Sequence, residues 1–264
     1  MKERLDVLLV RRGFCDSRER AKAEIMSGMV FVDGQRADKP GMNYDSGVKI
    51  ELRGNAIGFV SRGGLKLEKA LSVFPVDPVG KVCMDCGAST GGFTDCLLKR
   101  GAVRVYAVDV GYGQLAWNLR TDPRVVNMER TNARYLTEAD IPDKLDLVVI
   151  DVSFISLSLI LPTVRKLLKP EGEIICLIKP QFEAGRERVG KKGVVRDPKV
   201  HCDVLDSFLQ FAEDCSLHPA GLTWSPVRGP EGNIEYLGYL LCSGHSQRFD
   251  TASLVAASHE ELDK

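Results

Sequence analysis

The sequence predicts an α/β protein whose main part is a mostly parallel, doubly wound sheet with helices on both faces, preceded by a small α+β domain. Two observations predict this fold. Short apolar runs typical of strands alternate with runs typical of helices, and a glycine-rich turn connects the first of these strands to a helix. The predicted strands span residues 82–86, 104–109, 146–151, 173–179 and 235–241. The predicted helices span residues 65–73, 93–100, 158–168 and 202–215.

The sequence of the N-terminal region predicts two helices and a hairpin. The first helix covers residues 5–10 and ends near Gly13. The second follows Asp16, because Asp16 and Glu19 have the spacing of a capping box and Gly28 suits the position just beyond a helix. Asp33-Gly34 is a two-residue turn signal. The strands predicted around and after it span residues 29–32, 35–37 and 48–52.

These patterns divide the chain into three parts. We place a small domain at residues 1–54, a linker near 53–55 and the main domain at 55–243. Residues 244–264 are polar, and we expect a peripheral tail with a short helix at 253–262.

Composition and charge exclude several classes of protein. The formal net charge is zero, although residues 1–54 hold 11 Lys/Arg against 9 Asp/Glu and residues 183–199 hold 6 against 3. Such local excesses suit contact with a polyanion, but a solvated surface would show them too. No apolar run approaches the ~20 residues of a spanning helix, and the N-terminal run is too short for a signal peptide. We therefore expect a cytoplasmic protein with no membrane partner. The sequence does not indicate whether the protein is a monomer or an oligomer.

The eight cysteines do not indicate a disulfide framework in a chain of this length. Cys83 and Cys86 form a CxxC spacing, but they lie in a predicted strand, whose period of two sends them to opposite faces. We expect reduced thiols in the core. The four histidines show no ligand spacing, so the sequence predicts no metal site.

A cofactor site is predicted at residues 85–93, DCGASTGGF, which follow a strand and open a helix. Glycines permit close approach of the backbone, and the helix start presents free N–H groups. The spacing is neither that of a dinucleotide loop nor that of a P-loop. Asp109 ends the next strand and suits ribose hydroxyls, and Asn132 is placed to contact an adenine. The predicted cofactor residues are Asp85, Gly87, Ser89, Thr90, Gly91, Gly92, Phe93, Asp109, Val110, Asn132, Ala133 and Asp151.

Four charged residues fall where the predicted sheet has its functional edge: Lys66, Asp151, Lys179 and Glu235. A lysine that ends an apolar run is costly to bury without a partner, and two lysines with two carboxylates in one cleft would solve that problem. Partial burial and a neighbouring cation lower the pKa of a lysine, which could then act as a base on a hydroxyl. Surface lysines and helix-capping acids remain an alternative interpretation of the same residues.

The motifs around these residues resemble a known family. Residues 60–242 resemble the FtsJ-like 2′-O-methyltransferases of ribosomal RNA, with SRGGLKL similar to their SRxxxKL motif and DCGASTGGFT similar to their cofactor loop. Their Lys-Asp-Lys-Glu tetrad corresponds to Lys66, Asp151, Lys179 and Glu235. VIDVSFISL, LIKPQFE, GVVRDP and SPVRGPEGNIEYL resemble the TlyA subfamily, once labelled haemolysin. Residues 1–52 resemble the S4-type RNA-binding domain of that subfamily.

The resemblance implies a Rossmann-like class I methyltransferase that uses S-adenosylmethionine to methylate a cytidine 2′-hydroxyl in ribosomal RNA or ribosomal subunits. It implies that Lys179 activates the hydroxyl, that Asp151 orients Lys179, and that Lys66 and Glu235 hold the nucleotide. The implied RNA contacts are Arg11, Arg12, Ser17, Arg18, Lys22, Lys39 and Arg62. We further expect the loop at 183–199 to become ordered when RNA binds.

Three alternatives remain open. A membrane-active haemolysin is disfavoured by the absence of a spanning segment in the sequence. A non-catalytic RNA-binding or ribosome-assembly factor would use the same fold without the tetrad's chemistry. A base methyltransferase would place an aromatic/Asn-Pro platform or a nucleophilic cysteine where this chain has residues 151–154, DVSF.

Overall fold

The N-terminal domain consists of two helices and short antiparallel strands. The computed structural model describes residues 2–15, 17–26, 28–52 and 58–263. In chain order the elements of this domain are β1 (Lys2–Arg4), α1 (Leu5–Arg11), α2 (Arg18–Met26), β2 (Val30–Val32), β3 (Gln35–Arg36), β4 (Asn43–Asp45) and β5 (Ile50–Leu52). The predicted helices and the hairpin are therefore confirmed, while the short pair formed by β1 and β4 was not predicted.

Local sequence signals explain the helix ends and the hairpin of this domain. Asp33 and Gly34 both have positive φ, 49° and 79°, as the two-residue turn between β2 and β3 requires. Gly28 has φ 77° and donates to the carbonyl of Ile25, which ends α2 as predicted. The predicted cap Asp16 lies outside the described residues. The Ser17 hydroxyl accepts the N–H of Arg20 and caps the start of α2.

The larger domain alternates strands and helices. Its helices are α3 (Gly63–Val73), α4 (Gly92–Lys99), α5 (Trp117–Arg120), α6 (Leu161–Leu167), α7 (Pro180–Glu183), α8 (Pro198–Asp214) and α9 (Thr251–Leu262). Its strands are β6 (Val82–Cys86), β7 (Arg104–Val108), β8 (Val125–Met128), β9 (Leu145–Ile150), β10 (Leu168–Ile178), β11 (His218–Trp224) and β12 (Tyr236–Leu241). Leu168, predicted as the end of a helix, instead begins β10, which has an irregularity in its pairing before Glu173.

Within the described residues, seven strands form one sheet in the order β11-β12-β10-β9-β6-β7-β8. The central strands are parallel, and β12 runs antiparallel to both of its neighbours. The doubly wound, mostly parallel sheet is thus confirmed. The sequence prediction omitted β8 and β11, the two edge strands. Their residues are mostly half-buried, so they lack the continuous apolar runs of the central strands.

Two apolar layers cover the two faces of this sheet. Cys86 belongs to the layer that includes Leu161 and Val204, and Cys83 belongs to the layer that includes Leu67 and Leu97. The prediction that Cys83 and Cys86 face opposite sides is therefore confirmed. All eight cysteines lie among the described residues, and none forms a disulfide.

The C-terminal helix α9 belongs to the packed domain. Val255 and Ser258 are buried, and α9 packs against α8. The expectation of a peripheral tail is wrong, because polar residues cover one side of α9 while a narrow buried stripe faces the core. In the part of the chain that the structure describes, no helix combines the length and apolar character needed to cross a bilayer.

Candidate active site

The candidate site lies at the edge of the sheet where the parallel strands end. Asp151 follows β9 and Lys179 follows β10, so their side chains emerge next to each other. Because β12 is antiparallel to β10, its start lies at this same edge, and Glu235 directly precedes it. Lys66 comes from the first turn of α3. The topology therefore brings the four residues together from four separate elements.

The four side chains form a chain of ion pairs. Lys66 Nζ lies 2.6 Å from Glu235 Oε2 and 3.8 Å from Asp151 Oδ2. Lys179 Nζ lies 2.6 Å from Asp151 Oδ1. Asp151 is thus shared between two ammonium groups, and both lysines and Glu235 are buried. Partners of opposite charge are what make this burial tolerable.

The electrostatics of the cluster differ from the sequence expectation for Lys66. Burial is the largest influence on Lys66 and lowers its pKa, but Asp151 and Glu235 together outweigh it, and the pKa ends above its ordinary value. For Asp151, burial raises the pKa, but Lys66 and Lys179 together lower it by more, so the pKa ends below its ordinary value. Lys66 is therefore a fixed cation, and the expectation of a lowered pKa is wrong for this lysine.

Two hydrogen-bond partners of the cluster were missed from the sequence. Lys179 Nζ donates to Ser153 Oγ over 3.0 Å, and Gln181 Nε2 donates to Glu235 Oε1 over 3.3 Å. Each lies two residues from a tetrad member in the sequence. That proximity is a usable signal, because the segments that directly follow β9 and β10 lie at the same edge of the sheet as the tetrad.

An exposed aromatic side chain stands beside the cluster. Phe154 is 89% exposed and has φ 64°, an unusual backbone conformation for a bulky residue. Its ring lies 5.0 Å from that of Phe182. A large aromatic ring held in this way at the edge of the sheet can stack on a planar ligand.

The glycine-rich loop has the predicted backbone but a different reason for its glycines. Gly87 and Gly91 have φ of 85° and 94°. A Cβ at Gly87 would lie 2.4 Å from the Asp151 carbonyl oxygen, and one at Gly92 would lie 2.3 Å from Ser61 Oγ. The absent side chains therefore permit the loop to pack against the protein's own strand end and helix start. From the sequence alone, the same glycines predict close approach of a ligand.

Asp85 is a buried acid behind this loop. Its Oδ2 accepts the N–H and the hydroxyl of Thr94 over 2.9 and 2.7 Å, and its Oδ1 has no hydrogen-bond partner among the described residues. Burial raises the pKa of Asp85 to about 7, against the lowering effect of the Thr94 hydrogen bonds. An unpartnered buried oxygen at a cavity wall marks a place where a donor group would be stabilised.

A cavity joins the tetrad to the glycine-rich loop. On the tetrad side it is bounded by Lys66 and Asp151, and Arg62 also lies in its wall. The loop residues in its wall are Asp85, Gly87, Ala88, Ser89, Thr90, Gly92 and Phe93. Val227, Arg228 and Pro230, which the sequence analysis did not select, complete another side.

The remaining predicted cofactor residues lie outside the wall of this cavity. Asp109 accepts the Ser89 N–H over 2.8 Å and the Gly111 N–H over 2.6 Å, so it organises the loop. Val110 is exposed and Ala133 is buried. The Asn132 side chain accepts the Arg134 N–H and caps a short 3-10 turn. These four residues follow β7 and β8, and Asp109 is joined to the cavity wall through Ser89. Gly91 is the fifth predicted residue outside the wall.

The predicted RNA contacts of the N-terminal domain fall into two groups. Arg12 donates to the carbonyls of Ser46 and Val48, which holds the domain's own loop and speaks against the predicted phosphate contact. Arg18 lies on the surface, paired over 3.0 Å with the buried Asp6. Asp6 also holds Arg4, a surface arginine that the sequence analysis missed. Arg11 pairs with Glu3, whereas Ser17 and Lys39 are exposed and Lys22 is half-buried.

The basic loop at 183–199 is anchored at both ends. The Glu183 carboxylate accepts the Leu157 N–H over 2.8 Å, and Asn233 Oδ1 accepts the Val195 N–H over 2.9 Å. Short 3-10 turns cover Arg186–Arg188 and Lys191–Gly193. Ordering of this loop by RNA stays a prediction, and it concerns the exposed basic stretch between the anchors.

Comparison with known proteins matches both domains. The sequence profile of the FtsJ-like methyltransferases matches residues 59–241, and that of the S4 domain matches residues 3–50. The chain is 56% identical over 247 residues to YqxC of Bacillus subtilis, provisionally named an rRNA methyltransferase, covering 93% of this chain and 88% of the relative. It is 46% identical over 238 residues to the 16S/23S rRNA (cytidine-2′-O)-methyltransferase TlyA of Mycobacterium tuberculosis, covering 90% and 89%.

A solved structure matches along nearly the whole chain. This protein of Streptococcus thermophilus, provisionally named a haemolysin, is 46% identical and superposes with a TM-score of 0.79 over 99% of this chain and 97% of its own. The two-domain arrangement is therefore shared with a protein of that name.

Proposed function

The chain belongs to the FtsJ-like methyltransferase family, and from that premise we propose that it methylates a ribose 2′-hydroxyl of ribosomal RNA with S-adenosylmethionine as donor. We propose cytidine as the nucleoside, because the name of a relative at 46% identity specifies it. The observation that carries the proposal is the cluster of two lysines and two carboxylates beside the glycine-rich loop, three of whose members are buried. We propose a cytoplasmic location for this activity, because the proposed substrate is ribosomal RNA.

The residues of the loop and those that follow β7 and β8 fit S-adenosylmethionine. The unpartnered Asp85 Oδ1 would accept from the cofactor's ammonium group, and the loop residues Ser89 and Thr90 would flank its amino-acid part. We assign Asp109 to the ribose, and Val110, Asn132 and Ala133 to the adenine. When bound, the cofactor supplies a methyl group activated by a positively charged sulfur.

Lys179 is the residue that we assign to the target hydroxyl. We assign its Nζ as the acceptor of the hydroxyl proton when the new carbon–oxygen bond forms, and Asp151, 2.6 Å away, would stabilise the positive charge on that nitrogen. Ser153 Oγ accepts a hydrogen bond from Nζ and fixes its direction. A general base in such a position typically contributes a rate factor of about 10² to 10⁴.

Lys66 and Glu235 have supporting roles in this proposal. Asp151 and Glu235 keep Lys66 charged, so it holds both carboxylates in place and does not take the hydroxyl proton. Gln181 fixes the second oxygen of Glu235. These contacts hold Lys179 in a fixed position, from which it would orient the hydroxyl in line with the methyl group.

RNA binding would involve both domains. Single-stranded bases commonly stack on exposed aromatic rings, and we assign Phe154 to the base of the target nucleotide. Arg62 in the cavity wall, and Arg4 and Arg18 on the N-terminal domain, would contact phosphates. Phosphate contacts position the RNA without selecting its sequence, so the fold of the ribosomal RNA would supply specificity.

The test is transfer of labelled methyl groups to isolated ribosomal subunits, followed by alkaline hydrolysis of the product RNA. Methylation of a 2′-hydroxyl removes the nucleophile for alkaline cleavage, so we expect one resistant linkage 3′ to a cytidine. Label on a base, or resistance at another nucleoside, would contradict the proposal. RNA binding without any label would support a non-catalytic factor instead.

A further inference from the structure

One wall of the active site depends on a loop whose position is set from its far side. Residues 225–235 connect β11 to β12, and Val227, Arg228 and Pro230 within them line the cavity. A Cβ at Gly229 would lie 2.6 Å from Glu235 Oε1, so the loop backbone packs directly against a member of the tetrad. Any shift of the loop must therefore either move Glu235 or remove the backbone that packs against its carboxylate.

The first contact on the far side joins Arg228 to the end of α9. One Nη group of Arg228 donates to the carbonyl of Leu262 and to the carboxylate of Asp263, and the other donates to the Gly232 carbonyl over 3.2 Å. The end of a helix carries a partial negative charge, which favours a guanidinium there. The second Asp263 oxygen lies 2.8 Å from His259 Nδ1, which fixes the carboxylate on the helix.

The second contact joins the end of the loop to the middle of α9. The Tyr236 hydroxyl lies 3.1 Å from Ser258 Oγ and 2.7 Å from His201 Nδ1. All three side chains are buried, and Ser258 in turn donates to the Val255 carbonyl over 2.8 Å. Tyr236 directly follows Glu235, so α9 holds the loop both near its middle and at its catalytic end.

We propose that α9 is a positioning element for the active site, with Asp263 acting through Arg228 to hold the 225–235 loop and Glu235 against Lys66. The proposal rests on the proposed function for its effect on catalysis, but its structural content concerns this chain alone. Asp263 touches neither the cavity nor the tetrad, and it acts only through Arg228. A helix that merely added stability would contact the core through Val255 without any link to the cavity wall.

The experiment compares Asp263→Ala with Glu261→Ala, a carboxylate removed from the exposed face of the same helix. We expect Asp263→Ala to lower kcat for methyl transfer about tenfold, less than the hundredfold that a misplacement of ~1 Å can cost. KM for RNA, the affinity for S-adenosylmethionine and Tm should stay as in Glu261→Ala. Asp263→Glu should restore most of kcat, because it keeps the charge that Arg228 needs.

A second measurement judges the proposal without methyl transfer. The N–H groups of Ser225 and Gly229 are bonded to Glu235 and Asn233 across the loop. We expect Asp263→Ala to speed their hydrogen exchange about fivefold. The Asp151 N–H, which is bonded to Cys86, is the internal reference. Unchanged loop exchange, or equal kcat in Asp263→Ala and Glu261→Ala, would overturn the proposal. Faster exchange with an inactive wild type would instead sink the proposed function and support the structural link.

Discussion

The two ends of one pair of strands carry the same kind of ion pair in different surroundings. At the carboxyl ends of β9 and β10, Lys179 lies 2.6 Å from Asp151. At their amino ends, Lys169 lies 2.6 Å from Asp146. The Lys179 side chain is 8% exposed and that of Lys169 is 43% exposed. The distance between the charged groups is equal, so it cannot be what distinguishes a reactive pair.

What differs is the set of third partners. Asp146 uses its other oxygen to accept the Val82 N–H over 2.9 Å, a bond that ties two strands together. Asp151 uses its other oxygen to face Lys66, which brings Glu235 into the cluster. The carboxyl edge gathers the loops of a parallel sheet, whereas the amino edge receives mainly structural turns. We therefore propose that the same two residue types serve catalysis at one end and stability at the other.

The largest expected effect separates the two lysines. Lys179→Ala should lower kcat for methyl transfer about 10³-fold, within the range for loss of a general base. Lys169→Ala, the matched change at the other end of β10, should leave kcat within about twofold, because exposed ion pairs contribute little. The check is single-turnover transfer to ribosomal subunits. Similar losses in both variants would mean that the lysine supports β10 and has no part in the chemistry.

The second effect separates the two aspartates. Asp151→Asn leaves two buried ammonium groups with one carboxylate fewer, so we expect the free energy of unfolding to fall by about 3 kcal/mol. Asp146→Asn should cost about 1 kcal/mol or less, because its partner is exposed. Urea denaturation followed by circular dichroism measures both. Equal costs would show that the difference in burial has no energetic consequence.

The third effect uses the acid on the neighbouring strand. Burial raises the pKa of Asp85 to about 7, so raising the pH from 6 to 8 converts it to the carboxylate that a cationic cofactor prefers. We expect the affinity for S-adenosylmethionine to rise about tenfold over that range, since one pKa unit corresponds to a tenfold difference in binding between the two protonation states. Asp85→Asn should make calorimetric affinity independent of pH, while Asp146→Asn should keep the dependence. A flat wild-type profile would contradict the assigned contact.

The smallest expected effect concerns Ser153, which accepts a hydrogen bond from Lys179. Among the described contacts, Lys169 has no such serine partner. Ser153→Ala removes the hydrogen bond from Lys179, and the loss of one such bond should lower kcat about fivefold. Ser156→Ala is the control, since its hydroxyl bonds to Glu183 and not to the tetrad. A kcat for Ser153→Ala equal to that of the control would remove Ser153 from the positioning of Lys179.

The sequence was most informative where chemistry and topology coincide. Polar residues that end parallel apolar strands lie at one edge of the sheet, and this reasoning predicts Asp151 and Lys179 in one cleft. It could not find the two half-buried edge strands or the buried stripe of α9, because a mixed polar pattern is shared by loops. Nor could it separate Arg12 from Arg18, since an arginine that bonds to backbone carbonyls and one on the surface look alike in sequence.

The geometry at Gly87 has a consequence for tolerance. Because a Cβ there would fall 2.4 Å from the Asp151 carbonyl oxygen, the loop assigned to the methyl donor and the end of β9 touch main chain to main chain at this point. No rotatable side chain stands between them to take up or relax a displacement. The distance across which a methyl group would be transferred is thus set by the main chain at the edge of the sheet. Loops away from this contact can change in length and sequence without altering that distance.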